Sequence, residues 1–122
     1  MGLFGKYVDP IETWMREVID AVPEGYGRPG ESYDVRGMLE EGLKIYVGME
    51  QDPYWGAESL AKYLNYEQVP VPEKIIKKML DVSSPSPESQ EKIKQLLKDN
   101  NPDMTIEEYV AGLIPVEDSP KR

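Results

Sequence analysis

Cysteine and histidine are both absent from the 122 residues. Without cysteine there is no disulfide, no thiolate nucleophile and no cysteine-ligated zinc or iron–sulfur site. Without histidine the side chain best suited to moving protons near neutrality is missing, as is the commonest nitrogen ligand for metals. Ser-His-Asp and Cys-His nucleophile systems are excluded, so catalysis would have to run on carboxylates, lysine, tyrosine or serine alone. The sequence is that expected of a non-enzyme. Long hydrophobic runs are missing too: none approaches the ~20 residues that span a bilayer, and no secretory signal is visible. Met1-Gly2-Leu3-Phe4-Gly5-Lys6 opens like an acylation signal, but Lys6 stands where serine or threonine is wanted. The expectation is an apolar N-terminal arm packed on the domain, in a cytoplasmic, non-membrane setting.

Basic charge is the next scarcity. Fourteen basic residues face 23 acidic ones, a net charge of −9. Such a chain repels phosphate backbones at long range and is drawn to basic surfaces. No glycine-rich phosphate loop is present, since Gly25-Tyr26-Gly27-Arg28-Pro29-Gly30 carries a proline where a helix would have to begin. No cofactor is implied.

What is present is punctuation. Eleven prolines and ten glycines divide the chain into short segments, several with a helical period. Asp9-Pro10-Ile11-Glu12 is a helix start, with Asp9 as cap, Pro10 at the first position and Glu12 where a capping-box acid belongs. Ile11, Trp14, Met15, Val18, Ile19 and Val22 follow at i, i+3, i+4, i+7, i+8 and i+11, and Glu12 with Arg16 adds an i,i+4 pair. Residues 23–33 read as a loop. Residues 34–50 read as a helix with Val35, Met38, Leu39, Gly42, Leu43, Tyr46 and Met49 inward; residues 43–47 would also pass as a strand, but a lone strand has nothing to pair with. Gly37, Gly42 and Gly48 weaken that helix by roughly 1 kcal/mol each relative to alanine, unless a neighbour needs the space.

Asp52-Pro53 starts a third helix, with Leu60, Ala61 and Leu64 inward and Trp55 anchoring its first turn. Pro72 opens a fourth on Ile75, Ile76, Met79 and Leu80. Ser86-Pro87 starts a fifth on Ile93, Leu96 and Leu97, which Asn100-Asn101-Pro102 stops. Thr105 to Glu108 has capping-box spacing ahead of a sixth face of Ile106, Tyr109, Val110 and Leu113. The fold class is therefore all-α, an irregular bundle of five or six short helices in one domain, residues 1–114, with a mobile polar tail over 115–122.

Three groups of residues carry functional readings. Residues 57–80 have the outline of a helix-turn-helix, with Lys74, Lys77 and Lys78 on the second helix as the DNA-binding candidates. Against it, the turn is long and proline-bearing, and the second helix lacks the arginine, asparagine or glutamine that reads base edges. Asp99, Asn101 and Asp103 resemble the alternating oxygen ligands of an EF-hand calcium loop. Met104 replaces its glycine, however, and Val110 its closing glutamate, so the residues read as a helix stop followed by caps from Asp103 and Thr105, with no metal site. Lastly Tyr26, Tyr33, Tyr46, Tyr54, Trp55, Tyr63 and Tyr66 crowd the middle of an acidic chain, and such side chains favour protein contacts.

The function expected is that of a small acidic inhibitor or adaptor, docking on the basic surface of a larger protein, including surfaces that bind nucleic acid. Tyr26, Tyr33, Glu40, Glu41, Tyr54, Trp55 and Tyr66 are the partner-binding candidates. Inhibitors encoded by phages and mobile elements share this composition. The alternatives are the helix-turn-helix regulator and a structural or assembly subunit; self-association is compatible with all three.

Overall fold

In the computed structural model, which describes residues 8–116, every expected helix forms. In chain order they are α1 (Pro10–Ala21), α2 (Val35–Gly48), α3 (Pro53–Tyr66), α4 (Glu73–Val82), α5 (Pro87–Ile93) and α6 (Ile106–Ala111). A π-helical turn, Lys94–Lys98, prolongs α5. None of these helices is long and apolar enough to cross a membrane. Together they make one compact domain of the all-α class. The expected N-terminal arm and most of the polar tail lie outside the described residues.

Local chemistry sets the starts. Side chains of Asp9, Asp34, Asp52, Ser86 and Thr105 each accept a hydrogen bond from the first turn of their helix, and at Thr105 and Glu108 the capping box is complete. Two details differ from expectation. Glu12 turns outward to Arg16, 2.6 Å away, instead of closing a capping box, and Asp103 is exposed, leaving the α6 cap to Thr105 and Glu108.

The core joins the inner faces. Ile11, Met15 and Val18 of α1, with Val22 just after it, meet Val35, Leu39 and Leu43 of α2, Ala57, Leu60 and Leu64 of α3, Ile76 and Met79 of α4, and Ile93 and Leu97 beyond. Residues 43–47 are helical. Two glycines explain how α2 and α3 pack so closely: a Cβ on Gly42 would lie 3.1 Å from Tyr63, and one on Gly56 would lie 2.9 Å from the Cβ of Met49. Gly48 faces open space. Gly56→Ala should therefore destabilise by more than about 1 kcal/mol through overpacking, whereas Gly48→Ala should stabilise by about 0.5–1 kcal/mol. Urea titrations of the two variants measure both signs.

Among the described residues the strand content is a two-residue antiparallel bridge, β1 (Tyr26–Gly27) with β2 (Ile114–Pro115). It corrects the tail boundary: Pro115 is paired with Tyr26, and the Val116 N–H donates to the Gly25 carbonyl at 2.7 Å. The loop after α1 is thus fastened to the chain that follows α6. Trp55 is a second correction. It does not anchor the first turn of α3 from within but stands 46% exposed.

Candidate functional site

The docking candidates divide into a surface set and a structural set. Trp55 and Tyr66, 46% and 54% exposed, are the large exposed aromatics of α3. Eleven residues at 100° each return to within about 20° of the same direction, so both project from one side, about 16 Å apart along the axis. Tyr66 stacks on Tyr33 with ring centroids 6.1 Å apart. Glu40 and Glu41 are exposed on α2, and Tyr54 and Tyr26 are half-buried. Tyr46 and Tyr63 serve the interior: Tyr46 donates to Asp9 at 2.7 Å, and Tyr63 covers Gly42. Residues 9–69 carry 13 acids and five bases, so the surface around the exposed aromatics belongs to a segment of charge −8.

Beneath Tyr66 lies a cluster that was not anticipated. Glu67, the residue after α3, is fully buried, and neither carboxylate oxygen has a hydrogen-bond partner. Its compensation is Arg28, whose Nε lies 3.5 Å from Glu67 Oε1 and whose Nη2 donates to the Tyr66 carbonyl at 2.9 Å. Glu31 stands 3.8 Å from the same guanidinium. Tyr109 of α6 donates to the Glu67 carbonyl at 2.7 Å. Burial raises the Glu67 carboxyl above its ordinary range; the Arg28 charge works against that shift, and the Glu31 charge adds to it. Burial, then the neighbouring hydrogen-bonding groups and acids, hold the Tyr33 hydroxyl far above the usual tyrosine range, and burial and Glu67 do the same to Tyr109.

The chain leaves α3 through Gln68 at φ +55, a left-handed conformation that costs a non-glycine residue about 1 kcal/mol. The Val69 N–H returns to the Leu64 carbonyl and Gln68 caps the Asn65 carbonyl, so the end of α3 is closed tightly. A signal for Glu67 did exist. It falls at i+3 from Leu64 and i+7 from Leu60, a charge on the apolar stripe of its own helix. Arg28 thus bridges the Glu67 carboxylate and the Tyr66 carbonyl at the end of α3.

Lys74, Lys77 and Lys78 are exposed on α4. The connection before it, residues 67–72, includes buried Val69, Pro70 and Val71. Asn101 grips it, accepting from the Val71 N–H at 2.9 Å and donating to the Val71 carbonyl at 2.8 Å. That side chain, a calcium-ligand candidate by spacing, is spent on the backbone. Among the described residues no three acids converge as a metal cluster. Comparison with protein-family models, curated proteins and solved structures gives no match.

Proposed function

We propose that this is a non-catalytic interaction protein, an inhibitor or adaptor that docks its α2–α3 face on a basic surface of a larger protein. The observation that carries the proposal is the pair of exposed aromatics, Trp55 and Tyr66, on one side of α3 within a segment of charge −8. Aromatic anchors with pre-set geometry lose little freedom on binding. The Tyr33 stack and the Arg28 bond to the Tyr66 carbonyl supply that geometry on one of them. The surrounding acids favour a cationic partner and speed encounter with it.

The test is affinity capture from the native host, followed by quantified binding of the captured partner. Trp55→Ala and Tyr66→Ala should each weaken it by about 1–3 kcal/mol, and added salt should slow association. Lys74→Glu with Lys78→Glu should leave it intact. The same charge reversal separates this proposal from DNA binding. With −9 overall, duplex affinity at physiological salt should fall below ordinary non-specific binding, ~10⁻⁴ to 10⁻⁶ M. Recovery of an enriched sequence from random duplexes, lost on lysine reversal, would falsify docking in favour of the helix-turn-helix.

A further inference from the structure

Residues 8–61 hold only four cations, Arg16, Arg28, Arg36 and Lys44, against twelve acids. Three of the four line a single cleft of about 510 Å³ between α1 and α2. Arg36 and Lys44 stand on α2 with Glu40 between them, and Arg16 and Asp20 face them from α1 over an apolar floor of Leu43 and Val47. Charge along the rest of this segment is negative, yet three cations against two acids leave the cleft lining at +1.

The three cations are not equally engaged. Arg16 is committed: its Nε and Nη2 both donate to one oxygen of Glu12, at 3.0 and 2.6 Å. Arg36 Nε is shielded from water with no hydrogen-bond partner, and Glu40 comes only within 3.7 Å of it. Lys44 is exposed and forms no ion pair among the described residues. The cleft therefore offers an ammonium with no ion pair and a guanidinium held only by a long one, beside apolar surface.

We propose that this cleft binds a small organic monocarboxylate, its carboxylate on Arg36 and Lys44 and its aliphatic body along Leu43 and Val47. The volume falls within the ~300–1,000 Å³ typical of small-molecule sites. A guanidinium fork matches a carboxylate in shape, and a lysine beside it adds a point charge. With Arg16 spent on Glu12, Arg36 and Lys44 are the two cations left to meet a single carboxylate. Asp20, Glu40 and the field of a −9 chain repel phosphate esters and other polyanions.

The experiment is a titration of the isotope-labelled full chain, followed by amide chemical shifts. The probe is octanoate below its micellar concentration, with octanol and octylammonium as bodies of the same length. Octanoate should give saturable shifts at Ile19, Leu43 and Val47, with octanol at least about tenfold weaker and octylammonium without effect there. Arg36→Gln with Lys44→Gln changes only surface and half-exposed side chains. It should weaken octanoate about tenfold and leave octanol unchanged. Equal binding of octanol and octanoate would overturn the proposal, since the cleft would then be merely greasy. So would the absence of saturation, or shifts mapping instead to Trp14, Lys74 and Lys78, which line a separate cleft.

Discussion

Replacing Arg28 by alanine is expected to cost about 3–5 kcal/mol of stability at pH 7.5 and much less near pH 5. The arginine is the compensating cation for Glu67, whose carboxylate is buried without a hydrogen bond. Removing it strands a charge where water cannot reach. The pH dependence follows from the direction of the shift. Glu67 in the folded chain takes up its proton above its ordinary value of 4.5, so its protonated form favours folding. That contribution is complete at low pH and is lost as pH rises through the folded value. Arg28 is the group that pulls the value down, so its loss moves the titration upward. In the variant the folded Glu67 therefore keeps its proton to higher pH than in the wild type, so the deficit shrinks as pH falls. Tyr33 and Tyr109 stay protonated throughout this window, because their own values are raised. Thermal melts of wild type and variant at the two pH values measure the difference. Adding Glu67→Gln to Arg28→Ala should recover most of the loss at pH 7.5. An equal deficit at both pH values, unrelieved by the Glu67→Gln change, would mean that Arg28 acts through its bond to the Tyr66 carbonyl alone.

The helices were legible in the sequence because their determinants are local. Aspartate or serine followed by proline marks three of the starts, and a 3.6-residue period marks the buried faces. The burial of Glu67 escaped that reading because it is decided by chain that returns from far away. Glu67 is buried because Arg28, 39 residues earlier, and Tyr109, 42 residues later, close over the end of α3. The β1–β2 bridge that draws these segments together is two residues long and carries no periodic signal. Gly42 and Gly56 show the converse. For Gly42 both the helix-weakening cost and room for a neighbour were legible in the sequence, but which side chains use that room, Tyr63 against Gly42 and Met49 against Gly56, appears only in the fold. Of the candidate site, the stacking of Tyr33 on Tyr66 and the exposure of Trp55 emerged from the fold. The aromatic surplus and acidic charge were already visible.

Asn101 gives the second large effect, and it distinguishes a clamp from a ligand. Its amide oxygen accepts from the Val71 N–H and its amide nitrogen donates to the Val71 carbonyl, as a neighbouring strand would. Val71 is 2% exposed, so both backbone groups depend on this side chain. A buried donor or acceptor left unmade costs about 1–3 kcal/mol. Asn101→Ala should therefore lose about 2–6 kcal/mol as the sum of two such groups. Asn101→Asp keeps the acceptor but sets a carboxylate oxygen against the Val71 carbonyl, so it should be no better than alanine at pH 7. It should improve as acid protonates the carboxyl and restores a donor. Denaturant midpoints at pH 7 and pH 4.5, taken as differences from wild type at each pH, provide the measurement. Millimolar calcium should rescue neither variant, and it should leave the wild type unchanged. A calcium-dependent gain in the wild type that Asn101→Ala abolishes would return this side chain to the role its spacing first suggested. The clamp also bears on α4: with the 67–72 connection fixed to the chain beyond α5, Lys74, Lys77 and Lys78 are held on a rigid corner. Loosening it should raise amide exchange in α4 while leaving α1 and α2 protected.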